Sequence, residues 1–297
     1  MRKLILFTCL ALSYSGVLAA EHSASPTIYQ GVREAQQALE QQHYTQAQQG
    51  LKSLLAQAHS PYERALVQQN LGIVALRQQH LEQARHAFDA ALQSQALPAA
   101  EQQRLRRIQA QLLLRTGEAA AAMRLLQAWR ALAGTLQAED CQLFAYAYTQ
   151  LGQPSKAAWH WQQAIKQSQS PPLEWYQQLA AAYLAAQQIE PAIAAVRQLI
   201  QRQPQQAQYW LQLAQLYLKQ QQNNQALATL QLAQHKGLLP ADWLLLLVRL
   251  YMQQKQPLKA MRLLESAFVH QQLDKTPDNL ALLAMARQQA REPALSR

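Results

Sequence analysis

The chain has little of what marks a sheet protein or a common enzyme. Only 8 of its 297 residues are Gly, and β-branched residues are few. Ala, Leu and Gln dominate instead, and Gln coats a helix surface without adding charge. Apolar residues recur at helical spacing throughout, which argues against a disordered Gln-rich tract. No P-loop, GxSxG, HExxH or CxxC occurs, so the sequence offers no catalytic residue, metal ligand or cofactor site. His80 and His86 flank "LEQAR" at a spacing that leaves them on different helical faces. Cysteine is nearly absent: Cys9 lies in the first twenty residues and Cys141 stands alone, so no disulfide forms within the remaining chain. Cys141 is read as buried filler.

Long apolar runs are missing too. The Leu244–Val248 run meets Arg249 and then Gln253-Gln254, far short of the roughly 20 apolar residues a membrane helix needs. The opening "MRKLILFTCLALSYSGVLAAEH" has a basic start, an apolar stretch from Leu4 to Leu12, and small residues at Ala19 and Ala20. That layout predicts a secretory leader over 1–20 and a periplasmic location, with no membrane span once the leader is cleaved. Acidic residues are in deficit: 27 Lys and Arg face 17 Asp and Glu, a formal charge of +10. Such a balance suits an acidic partner, anionic lipid or nucleic acid. The charges are dispersed, however, and a solvated surface accounts for them.

What the chain does have is an echo. "LEWYQQLAAAYLAA", "AQYWLQLAQLYLKQ" and "ADWLLLLVRLYMQQ" follow one another at a stride of 34 residues. In this register Leu179, Leu213 and Leu247 coincide, as do Tyr183, Tyr217 and Tyr251, and Ala192, Ala226 and Ala260. Val196, Leu230 and Leu264 follow, then Leu199, Ala233 and Ala267. The small residue lets a second helix approach the first, and the Tyr is expected to fill the gap toward the next repeat. Trp175, Trp210 and Trp243 add contact area near the helix starts. Upstream the stride loosens, but Gly152/Ala157/Trp161, Gly117/Ala122/Leu126/Trp129, Gly72/Ala84/Phe88/Ala91 and Ala35/Ala47/Leu51/Leu54 continue it. Prolines sit between repeats or at helix starts, where a missing N–H does no harm. His160, between Trp159 and Trp161, is expected near the convex surface, with Trp161 in the core.

This pattern resembles the tetratricopeptide repeat (TPR) superfamily. The resemblance implies an all-α superhelix of about seven helix pairs. A short linker over 21–27 would precede a solenoid over 28–274, and a capping helix and tail would occupy 275–297, with Thr276 capping a helix that begins at Pro277. It also implies a concave face lined by positions 2, 5, 9, 12 and 13 of each first helix. One half of that groove would offer Arg77, Arg104, Arg107, Gln111 and Arg115, with Gln142 and Tyr146 between the two halves. The other would offer Leu211, Gln215, Leu218, Lys219, Leu245, Arg249 and Met252. Leucines would serve as apolar pockets and arginines would pair acidic residues of a bound protein segment. The aromatics occupy core positions, so a nucleic acid partner is not expected.

A finer likeness lies in "HKGLLPADWLLLLVRLYMQQKQPLKAMRLLESAFVHQQL" and "NLALLAMARQQARE". Over about the last 125 residues the chain looks like the TPR proteins encoded beside TonB–ExbB–ExbD systems of Gram-negative bacteria. That resemblance implies a periplasmic accessory of TonB-dependent transport, with TonB, ExbB or ExbD as partners and no catalytic residues. An assembly factor for another envelope machine, such as pilus, secretion, cell-wall or outer-membrane biogenesis, is the alternative expectation.

Overall fold

The structure, a computed structural model, describes residues 24–132 and 136–295, so the expected leader lies outside it. The described residues form fifteen helices and no strand. The chain divides into two compact units, Met1–Gln153 and Pro154–Arg297. The first holds α1 (Pro26–Glu40), α2 (Tyr44–Gln57), α3 (Pro61–Arg77), α4 (Leu81–Gln93), α5 (Ala99–Thr116), α6 (Ala119–Leu132) and α7 (Ala138–Gln150). The second holds α8 (Pro154–Gln167), α9 (Leu173–Ala185), α10 (Ile189–Arg202), α11 (Ala207–Lys219), α12 (Asn223–His235), α13 (Ala241–Gln253), α14 (Pro257–Val269) and α15 (Pro277–Leu295). Within each unit every helix packs on the next in the chain, which is the all-α helix-pair superhelix class.

Seven repeats share one register when position 1 is set at Ile28, Ala65, Gln103, Ala138, Leu173, Ala207 and Ala241. Position 20 is always Ala (Ala47, Ala84, Ala122, Ala157, Ala192, Ala226, Ala260), and none of these is more than 1% exposed. Position 24 carries Leu51, Phe88, Leu126, Trp161, Val196, Leu230 and Leu264, all fully buried. The methyl at position 20 permits close helix approach, and the bulky residue one turn on fills the space so created. In the second repeat the fit is close: a Cβ added to Gly72 would overlap the Phe88 ring, so the ring occupies the place of a side chain.

Each turn between paired helices is built alike. The residue at position 15 is left-handed in all seven: Gln42, Gln79, Gly117, Gly152, Gln187, Gln221 and Lys255. The N–H of position 16 bonds back to the carbonyl of position 11, as in His80 to Ala75 (2.9 Å) and Gln222 to Tyr217 (2.8 Å). The position-15 N–H bonds to position 12, as in Gln187 to Leu184 (3.0 Å). These two bonds make a Schellman motif, which satisfies carbonyls that a helix end leaves open. Gly is the usual residue there, and five of the seven turns do without it.

The loosened stride upstream has a physical origin. First helices α3 and α5 run to 17 and 18 residues, against 13 in each of α9, α11 and α13. The extra turn is added at the N-terminal end, so the buried positions keep their spacing. α3 opens on a capping box in which Glu63 N donates to Ser60 Oγ (3.1 Å) and Ser60 N donates to the Glu63 carboxylate (3.1 Å). The same carboxylate accepts from Ser25 N and His59 N, both at 2.9 Å, and so ties the entry of α1 to the start of α3. Those hydrogen bonds, Ser25's foremost, hold the Glu63 carboxyl at about 2. At the other end Asn279 N donates to Thr276 Oγ1 (3.3 Å), capping α15 at Pro277. Leu283 and Ala286 of α15 are buried, and the helix packs on α14.

Candidate functional site

In the first unit the register puts Arg104, Arg107, Gln111 and Arg115 along one stripe of α5, Arg77 at the end of α3, and Gln142 and Tyr146 on α7. Arg77 and Arg115 are exposed and the other five half-buried. α5 and α7 are in contact, and there Arg107 Nε lies 3.0 Å from Asp140 Oδ1. Asp140 is 3% exposed, and its second oxygen accepts from Gln137 N (2.9 Å) at the start of α7. Arg107 therefore meets an acidic group of its own chain, not one reserved for a partner. Arg104 is held as well. With the Gln69 amide oriented to satisfy both neighbours, its oxygen accepts from Arg104 Nη2 (2.9 Å) and its nitrogen donates to Glu101 Oε2 (3.3 Å). One repeat earlier Gln36 donates to Asn70 Oδ1 (3.0 Å), and Asn70 Nδ2 donates to the Leu66 carbonyl (2.8 Å). The inner stripe of this unit is a polar ladder that locks successive first helices together.

The second unit presents a different surface. Leu211 and Leu218 of α11 and Leu245 and Met252 of α13 are half-buried, while Gln215, Lys219 and Arg249 are exposed. Each apolar side chain keeps part of its surface open beside a cation or an amide. Such a stripe gains by covering those side chains with an apolar segment. On α9 the equivalent stripe carries Gln177, whose Nε2 donates to Tyr209 Oη of α11 (2.6 Å).

Three expectations are corrected. His160 is 4% exposed, not on the convex surface, and packs edge-on to Trp159 at 4.6 Å between ring centroids. Its position in the repeat, 23, is buried through this unit, as Ala195, Thr229 and Leu263 show. Two of the three repeat tyrosines, Tyr217 and Tyr251, reach backward rather than forward. Arg197 donates to Tyr217 Oη and Gln231 to Tyr251 Oη (3.0 Å), each donor lying on the second helix of the preceding repeat. The ring thus wedges behind its own helix, with its hydroxyl paired. Finally, the arginine at position 5 of the third repeat, Arg107, is internally neutralised, as described above.

Cys141 is buried, and burial followed by the neighbouring Asp140 charge pushes its thiol upward, which keeps it in the neutral, unreactive form. His80 and His86 are both exposed, and no group of three or more His, Cys, Asp or Glu among the described residues is placed to hold a metal ion. Among the described residues no helix is long and apolar enough to cross a membrane. Sequence reading missed Gln69 and Asn70. Gln69 occupies groove position 5 of its repeat, but the added N-terminal turn of α5 brings Glu101 to it, beside Arg104 at position 2 of that helix. The early start of α5 was the available signal.

The tetratricopeptide repeat family model matches residues 70–135, 178–237 and 211–278, together more than half of the chain. No curated protein matches it in sequence. Several solved structures share the fold. A tetratricopeptide repeat protein from Parabacteroides merdae is 15% identical, with 89% of this chain and 100% of that one covered and a TM-score of 0.53. The C-terminal part of a TPR repeat-containing protein from Cytophaga hutchinsonii is 15% identical over 85% of this chain and 99% of its own, at a TM-score of 0.58. MamA from Desulfovibrio magneticus is 17% identical over 60% and 96%, at 0.52.

Proposed function

The chain belongs to the tetratricopeptide repeat family, and from that premise we propose that it is a non-enzymatic scaffold that holds a segment of a partner protein on its first-helix stripes. The observation that carries the proposal is the half-exposed apolar set Leu211, Leu218, Leu245 and Met252, set beside exposed Lys219 and Arg249. An amphipathic or extended segment bearing leucine-like anchors and carboxylates fits that chemistry. Taken by itself, the first unit offers Gln111, Gln142, Tyr146, Arg77 and Arg115 as a separate set of polar contacts, with Arg104 and Arg107 fixed in place by Gln69 and Asp140.

The site of action in this reading is the periplasm, reached through the leader over 1–20. The partner system is a TonB–ExbB–ExbD complex. The first part is supported by the basic, apolar and small-residue order of that opening segment. The second is supported by the likeness of the last 125 or so residues to TPR accessories of such systems. Cross-linking in an intact envelope followed by capture of the chain tests both. TonB, ExbB or ExbD should be recovered with the wild type and depleted with Leu211→Asp/Leu245→Asp. Capture of pilus, secretion, cell-wall or outer-membrane assembly components in their place would move the scaffold to another envelope machine.

A further inference from the structure

The groove uses first helices, yet the surface with most exposed aliphatic side chains lies elsewhere. Leu258 and Val269 of α14 are 53% and 76% exposed, and Leu280 of α15 is 45% exposed. Leu258, Arg262 and Val269 follow one another at intervals that bring them to a single outward stripe of α14. Lys255, just before the helix, and Lys259 flank that stripe and are exposed, with Lys259 Nζ 5.8 Å from the Tyr251 ring centroid. The ion pair from Arg287 Nη2 to Glu265 Oε1 (2.8 Å) fixes how α15 lies against α14. On α14 Glu265 stands beside the Leu258–Val269 stripe, and on α15 Arg287 stands beside Leu280, so the three aliphatic residues share the outward side of that bridge. Glu265 is the acidic residue of α14 and Arg287 already engages it. Lys255, Lys259 and Arg262 are left facing solvent.

We propose that this crest on α14 and α15 docks the protein on an anionic phospholipid surface. Long cationic side chains would meet phosphate headgroups, while Leu258, Val269 and Leu280 enter the boundary below them. Charge decides against a second copy as the occupant, because a two-fold contact would set three cations against three. The aliphatic residues stand exposed among solvent-facing cations, and a fluid bilayer accepts such side chains without a preformed complementary pocket. Composition agrees, for from Pro154 onward the sequence holds 14 Lys and Arg against 7 Asp and Glu. None of the groove residues is used, so this crest is separate from the surface proposed to hold the partner.

Co-sedimentation of the full-length chain with vesicles of phosphatidylglycerol and phosphatidylcholine tests the docking, with the Lys255→Glu/Lys259→Glu/Arg262→Glu and Leu258→Gln/Val269→Gln variants beside the wild type. Every protein carries the same first twenty residues, so the differences between them report on α14 alone. The wild type should bind phosphatidylglycerol-containing vesicles, bind pure phosphatidylcholine weakly, and lose affinity as salt is raised through the physiological range. Charge reversal should reduce binding about hundredfold, and the paired aliphatic change by about tenfold or more. Circular dichroism that matches the wild type keeps either loss from being unfolding. Equal binding of wild type and charge-reversed chain would overturn the proposal. So would binding to poly-glutamate as strong as to vesicles and indifferent to Leu258→Gln/Val269→Gln, which would assign the crest to an acidic protein.

Discussion

The two units use the same repeat and hold several of their cations differently. In the first, Arg85 pairs with Glu118 (2.6 Å) and Glu82, Arg107 with Asp140, and Arg104 with the Gln69–Glu101 couple. In the second, Arg197 and Arg202 end on the hydroxyls of Tyr217 and Tyr176, and Lys259 lies near the Tyr251 ring. Arg287 and Glu265 do form an ion pair in that unit, but on exposed helix faces. A tyrosine hydroxyl or ring orients a cation without cancelling its charge. One helix-pair plan thus yields a unit whose inner stripe is locked internally and another whose stripe carries the exposed cations Lys219 and Arg249.

The largest effect should be common to both units, because the core plan is common. Phe88→Ala is expected to cost about 3–5 kcal/mol and Leu230→Ala about 2–5 kcal/mol in urea unfolding. A cost confined to one of them would mean that the register differs between the units. The next effect should separate them. Asp140→Ala removes the buried partner of Arg107 and the cap of α7, for a loss of about 2 kcal/mol, whereas Lys219→Ala with Arg249→Ala should change stability by less than about 0.5 kcal/mol and instead weaken partner capture. If the Lys219/Arg249 pair proves as costly to the fold as Asp140, the two units do not differ in the way their cations are used.

Acid should act on the first unit through Glu63. Its carboxyl titrates at about 2 in the folded chain against an ordinary 4.5. The lowered folded value means that its contribution is complete above about 4.5 and is lost as pH falls toward 2. Glu63→Gln should therefore lower the melting temperature at pH 7 and flatten the acid-unfolding curve between those values. An unchanged curve would show that the Ser25 and His59 bonds carry no weight. The smallest effect is a gain: Gln187→Gly or Gln221→Gly relieves a left-handed side chain in the second unit and should stabilise by about 1 kcal/mol. Thermal melts of the two variants check it.

Much of this fold could be read from residue types. Ala at position 20 and a bulky apolar residue at position 24 recur because helix packing demands them locally, and Pro61, Pro154, Pro257 and Pro277 each open a helix. Gln79, Gln187 and Gln221 were silent, since Gln carries no preference for the left-handed region and only Gly117 and Gly152 advertised their turns. Of the candidate groove, all fourteen residues retain exposed surface, yet their roles were not legible. Arg107 and Arg115 look alike in sequence; only α7 packed on α5 distinguishes the one beside Asp140.

By itself the sequence determined the helix pairs, their register and the residues each pair buries, because these follow from a periodicity that acts over one or two turns. The tertiary structure alone decided which charges are cancelled, which way Tyr217 and Tyr251 reach and where His160 lies. The pairings depend on atoms brought within about 3 Å from residues 20 to 33 positions away in the chain, and no local pattern encodes that meeting.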